Sequence, residues 1–283
     1  MNHRPGWLRF VVTHGLLVIV SFITLYPVLH VLKLALTPGQ ALSMGVNPFP
    51  TSVSAEHFRE VVAHRAADGS WLFGRQLLNS LVVASATALV GVGLACTAGY
   101  AMSRWAFPGR ARLAGLFVLT QSFPGVVMAI PLYILLDGLH LLDSRTGLVL
   151  VYSTTAVPFA TWNLKGWFDT LPRELEEAAM LDGASRWQTF WMILLPLSRP
   201  ALAVTGLFCF LAAWNEFILA ATLLGDERAW TLPVLLNGHV GEQGADWGLF
   251  AAGAVVVSIP VVALFFVLQK QLVEGLASGS VKG

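Results

Sequence analysis

Apolar residues run along this chain in long blocks broken by short polar passages. Six blocks are long enough, as helix, to cross a hydrocarbon layer that needs about 20 residues. They lie near Val11–Leu34, Leu77–Met102, Leu113–Leu136, Gly147–Leu164, Ala201–Leu224 and Gly248–Gln269. The pattern predicts an all-α polytopic membrane protein with six transmembrane helices. The segments are an N-terminus at 1–10, a first transmembrane helix at 11–36 and an outer loop at 37–76. A five-helix core at 77–271 follows, holding an inner loop at 165–200 and an outer loop at 225–247, and a tail at 272–283 closes the chain.

The inner loop is the least membrane-like long passage in the second half. Glu174, Glu176 and Glu177 follow Pro172 and open a stretch whose Ala178, Ala179, Met180 and Leu181 favour helix, where acidic side chains complement the positive end of the helix dipole. Asp182-Gly183 then stops or turns it, because Gly accepts the positive φ that closes a helix. A second short helix is expected from Ala184 to Leu195, with Trp187, Phe190, Trp191 and Leu194 on one face and with Pro196 and Pro200 ending it. By residue type alone such a helix-turn-helix is either an amphipathic connector resting on headgroups or a docking element for something beneath it.

Composition agrees with the pattern. Of 283 residues 56% are hydrophobic and 12% charged, mean hydropathy is +0.69, and soluble domains carry roughly 25% charged residues. A net charge of +1 without a basic, aromatic-laced patch gives no sign of a nucleic-acid partner. Cys96 and Cys209 lie in apolar blocks without Cys/His spacing, so they read as packing residues. Arg4 and Arg9 precede an apolar run too long for a signal peptide, which therefore reads as an uncleaved first span. Of the 17 Lys and Arg, eleven fall on one side and six on the other if the N-terminus is inside; both termini and the 165–200 loop are then cytoplasmic. His57 and His64, with Glu56, Glu60 and Asp68 near them, fit no metal-ligand spacing, and that segment reads as a solvated outer loop. No metal site is expected.

Polar residues inside the spans are costly unless they face protein or water. Phe123, Pro124, Pro131 and Tyr133 suggest a kinked third helix that lines a path or packs on a partner. Ser153, Thr154, Thr155, Phe159 and Thr161 mark a polar fourth span. Trp214, Asn215 and Glu216 put an ionisable group deep in the fifth, facing either a pathway or another subunit. The chain has no GxxxxGK[ST], GxSxG or HExxH, so nothing in it points to an enzyme.

EEAAMLDGA followed by Ile193-Leu194-Leu195-Pro196 resembles the cytoplasmic signature loop of ABC importer permeases, in which EAA is followed by three residues, Gly, and I-x-L-P. LLNSLVVA around Asn79-Ser80, the turn from Arg104 to Arg110 with its FPG, and the ending LVEGLASGSVKG resemble the same family, the last two its carbohydrate, maltose-type second permeases. The resemblance implies a type I ABC importer permease fold in a bacterial inner membrane. It also implies a second homologous permease, an ATPase dimer carrying ATP and Mg, a periplasmic or lipoprotein sugar-binding protein, and no cofactor on this chain. Carried onto this sequence, ATPase coupling falls to Glu176, Glu177, Ala178, Ala179, Asp182, Gly183 and Ala184. An ATPase-interface tail falls to Gly279, Ser280, Val281, Lys282 and Gly283, whose glycines permit an extended fit. Binding-protein contact falls to Leu236, Asn237, Gly238, His239 and Gly241 in a flexible outer loop. The cargo implied is maltose or maltodextrin, with trehalose or another oligosaccharide as alternatives. A secondary transporter would need an internal repeat and charges in several spans, which are not seen. A membrane subunit without transport would leave the polar fourth span unexplained.

Overall fold

The computed structural model describes residues 6–39, 45–241 and 244–280. They are mostly helical and divide into two compact units, one holding the chain up to Phe73 with Leu236–Ile259, the other Gly74–Leu235 with the chain from Pro260 on.

In the first unit, α1 (Trp7–Leu36) is apolar around its whole circumference and carries Pro27. Near its end Tyr26 donates to Val46 O at 2.7 Å and the buried Lys33 donates to Asn47 O at 2.7 Å, so the following segment is fastened to the helix. Part of what reads as a solvated outer loop is the helix α2 (Glu56–Ala63), which buries His57 and Val61 four residues apart; His57 Nδ1 lies 3.3 Å from Ala35 O. The helix is hard to read from sequence, since its buried i, i+4 face is short and is interrupted by charges.

The second unit is built on α3 (Leu72–Arg104), α4 (Arg110–Ser122), α5 (Gly125–Gly138) and α6 (Arg145–Thr170). After them come α7 (Glu174–Leu181), α8 (Arg186–Thr189), a π turn at Phe190–Leu194, α9 (Leu195–Leu197), α10 (Arg199–Trp214) and α11 (Ile218–Leu223). Its core joins Ala95, Cys96 and Tyr100 of α3, Ala156, Ala160, Leu164 and Phe168 of α6, Phe190 and Leu194 of the π turn, and Ala201 and Cys209 of α10. Small residues set that packing. A Cβ at Gly99 would stand 3.0 Å from Lys165 N and 3.2 Å from Thr161 O, so only Gly lets α3 come this close to the α6 backbone.

The chain continues with α12 (Leu232–Gly238), a two-residue antiparallel ladder of β1 (Val240–Gly241) with β2 (Gly244–Ala245), and α13 (Trp247–Ser280).

The six expected transmembrane helices are seen in part, and the kink expected in the third is a full break. Among the described residues three helices are long and apolar enough to cross a membrane, or up to five if each bent pair counts as one. The third apolar block is broken, with α4 and α5 meeting at 100°, because Phe123 and Pro124 are extended and Pro124 supplies no N–H to continue the ladder. The fifth block stops at Trp214 and resumes at Ile218. α6 has the length of a span; its hydroxyls, Asn163 and Lys165 keep it out of the apolar set. The tail, expected to be extended, is helical backbone as far as Ser280, including Gly279, while Val281, Lys282 and Gly283 lie outside the described residues.

Candidate functional site

The polar elbow between α6 and α10 is held from within. α7 opens with Glu174, Glu176 and Glu177 in its first turn, where the helix dipole favours negative charge. Only Glu176 and Ala179 of this helix are buried. The Glu176 carboxylate accepts from Tyr100 Oη at 2.8 Å and from Arg104 Nε at 2.5 Å, and Arg104 also donates to Leu171 O at 3.1 Å. Both charged side chains are nearly dry, at 7% and 12% exposure. Arg104 is therefore an internal anchor. Beside it Ser103 donates to Asp169 at 2.7 Å and Lys165 pairs with the other Asp169 oxygen. Burial works to raise the Asp169 carboxyl, but the hydrogen bonds from Lys165 and Ser103 outweigh it and hold the group below the usual carboxylate range.

Gly183 takes φ +90° and closes α7 as the sequence demands. Next, Ser185 and Gln188 form a reciprocal capping box that starts α8. The second helix departs from expectation, because the backbone widens into a π turn from Phe190. Phe190 and Leu194 are buried, whereas Trp187 and Trp191 are exposed at 63% and 52%, so the four do not share a face. Pro196 and Pro200 sit in the first turns of α9 and α10, starting helices rather than ending one.

What remains outward is a compact crest. Glu177, Ala178, Asp182 and Gly183 are exposed, Leu181 is exposed at 89%, and Ala184 is half-buried. The expected coupling set is thus divided: Glu176 and Ala179 are buried against the unit, Ala184 is half-buried, and Glu177, Ala178, Asp182 and Gly183 are exposed, with Leu181, outside the set, beside them. Among the described residues, no side chain of the crest is engaged by an ion pair.

The candidates inside the spans separate as well. Trp214 is buried against Phe210, with ring centroids 5.4 Å apart. Glu216 accepts from Tyr152 Oη at 2.8 Å, Leu219 N at 2.8 Å and Ala220 N at 3.0 Å, capping α11; this offsets much of the cost of a carboxylate at that depth. Asn215 is exposed. Phe123, at the α4–α5 break, lines a cavity of about 340 Å³ with Leu116, Met128, Leu132 and Thr154, and Phe159 lines a second of about 260 Å³ with Phe117, Gln121 and Trp162. Pro124 caps α5, and Tyr133 is exposed without facing either cavity.

At the other end of α3 is a cluster whose roles the sequence did not disclose. Gln76 donates to Glu227 O, and Asn79 to both Arg228 O and Trp230 O, each at 2.9 Å. Ser80 accepts from Leu232 N and Arg145 Nε donates to Asn79 Oδ1, each at 2.8 Å. Asp143, at φ +53°, receives Gly225 N and Asp226 N. The Asn-Ser pair was the available signal, and its partners lie some 150 residues away in sequence.

The expected flexible outer loop is ordered in part. Leu236, Asn237 and Gly238 belong to the end of α12, where Asn237 and Gly238 are exposed. His239 is half-buried beside His64, with centroids 6.5 Å apart, and Gly241 is in the ladder. Burial first, then His64, holds the His239 imidazole below its ordinary value against the pull of Asp246 and Glu60. Among the described residues no group of His, Cys, Asp and Glu is arranged to hold a metal ion.

Comparison with known proteins bears on all of this. Residues 90–277 match the family of binding-protein-dependent transport system inner membrane components. The maltose/maltodextrin transport system permease protein MalG of Salmonella typhimurium is 37% identical over 295 residues, covering 98% of this chain and 97% of its own. The trehalose transport system permease protein SugB of Mycobacterium tuberculosis is 34% identical over 261 residues, covering 92% and 93%. A chain in the crystal structure of a bacterial ABC transporter involved in the import of the acidic polysaccharide alginate superposes with a TM-score of 0.76 at 24% identity, over 96% of this chain and 99% of that one, which is a likeness of fold.

Proposed function

Because the chain belongs to the family of binding-protein-dependent transport system inner membrane components, we propose that its elbow is the handle through which a separate ATPase drives import. The chain is a membrane-embedded permease subunit of an ABC importer. Maltose or maltodextrin is the cargo, trehalose or another oligosaccharide being the alternative, in line with the MalG and SugB relatives. Six crossings of a bacterial inner membrane are assigned to α1, α3, the α4–α5 pair, α6, α10 with α11, and α13, leaving both termini and the elbow in the cytoplasm. The chain binds no ATP itself; ATP and Mg belong to the ATPase dimer. A second permease completes the pathway, with Phe123, Phe159 and Asn215 on this chain's share of it. A sugar-binding protein docks from outside near Asn237 and Gly238, and the tail from Gly279 meets the ATPase.

One observation carries the reading: the elbow has two sides. Glu176, locked to Tyr100 and Arg104, makes the elbow move with its unit, while Glu177, Ala178, Leu181, Asp182 and Gly183 on the crest are exposed and open to a grip. A gripped crest transmits force only if its contacts with the ATPase differ between nucleotide states. The test is uptake of labelled maltose, maltodextrin and trehalose by proteoliposomes containing the assembled complex. ATP-dependent accumulation of one of them supports the assignment; ATP-independent exchange, or assembly without an ATPase, contradicts it.

A further inference from the structure

We propose that α3 is a stiff strut joining the outer segment 225–232 to the elbow, with Asn79 and Arg104 as positioning residues for transport at its two ends. The proposal rests on the importer reading and adds the route by which a change at the elbow reaches the opposite face.

The helix suits the task. Its 33 residues span about 50 Å at about 1.5 Å per residue. Of the helices longer than 20 residues, α1, α6 and α13 contain Pro27, Pro158 and Pro260, while α3 contains none. Proline in a helix interior removes a hydrogen bond and is the usual cause of a kink. The α4–α5 pair, by contrast, is bent by 100° and cannot carry an axial displacement.

Both ends of α3 are fastened by buried polar groups. Gln76, Asn79 and Ser80 are at most 3% exposed, and their bonds reach Glu227, Arg228, Trp230 and Leu232. Tyr100 and Arg104 hold Glu176. Sliding either partner past α3 would orphan several buried polar groups, so each end travels with the helix. α6 is tied alongside through Arg145 to Asn79 and Asp169 to Ser103, and it is in close contact with the strut at Gly99.

The test uses the complete complex in nanodiscs, with ATP as the probe and a maleimide as the reporter. Cysteines are placed at exposed Leu181 on the crest or at exposed Asp226 in the outer segment; native Cys96 and Cys209 are buried. In the parent, ATP is expected to change the labelling rate at both sites. Leu89→Pro, at a position 75% exposed midway along α3, is expected to abolish the response at 226 and keep it at 181, whereas Leu89→Ala keeps both. If Leu89→Pro fails to assemble, Asn79→Ala decides, with the same expected loss at 226 alone. A response at 226 that survives in the assembled Leu89→Pro protein, or in Asn79→Ala where Leu89→Pro is lost, overturns the strut, as does a parent in which 226 never responds while 181 does. A parent in which 181 itself ignores ATP would instead overturn the importer reading on which the strut rests.

Discussion

Glu176 lies against Tyr100 and Arg104 with its carboxylate nearly dry, whereas Glu177, one residue on and turned by about 100° around α7, faces solvent. Two carboxylates adjacent in one motif therefore do different work. One fixes the elbow to its unit; the other is exposed. A motif read as a single site contains both the joint and the surface it presents, and the two differ in what a substitution does.

The widest gap between them is expected at the joint. Glu176→Ala leaves Arg104 buried without its counter-charge, and breaking such a pair costs about 3–5 kcal/mol; thermal unfolding of the purified protein in detergent reports it as a clear loss of stability. Glu176→Ala combined with Arg104→Met recovers much of that loss if the cost is the orphaned charge. Less follows from Gly183→Val, which forces a β-branched residue to φ +90° at about 1–2 kcal/mol. The same variant also loses ATP-coupled uptake, because the turn that shapes the crest is altered.

A pH titration separates the elbow from the other unit. His239 has a folded pKa depressed below 6.5, so its contribution is fully present above that value and is lost as pH falls through the folded pKa. Fluorescence or calorimetric unfolding between pH 7 and 5 is expected to show a shallow decline that His239→Gln removes and Glu177→Gln does not. The smallest effect on stability belongs to Glu177→Lys, within about 0.5 kcal/mol for an exposed position. Its signature is kinetic: ATP hydrolysis continues while uptake by proteoliposomes falls away. Should Glu177→Lys unfold the protein as Glu176→Ala does, the contrast between the two carboxylates is lost.

Much of this was legible from residue order. The apolar blocks located α1, α3 and α13, and the acidic first turn and Gly183 located α7 and its end. What was not legible depends on partners distant in the chain. Arg104 and Glu176 are 72 residues apart, and neither periodicity nor charge count pairs them. Asn79 gave a motif without a partner, since its carbonyl acceptors lie in the segment near Trp230. Trp214 and Glu216 read together as one interruption of the fifth span, and residue order does not separate the ring stacked on Phe210 from the carboxylate held by Tyr152. The π turn at Phe190–Leu194 changes which aromatic residues face inward, and Phe190 there packs against Tyr100 and Phe168, both distant in sequence. Local chemistry was readable, and long-range pairing was not.

The central claim, that a separate motor grips the crest, is tested most directly by photo-crosslinking from residue 181 in the assembled complex, with and without ATP. The account predicts an adduct to the ATPase whose yield changes on ATP binding. An adduct only to lipid, or one to the ATPase that is indifferent to nucleotide while sugar is still imported, would contradict it.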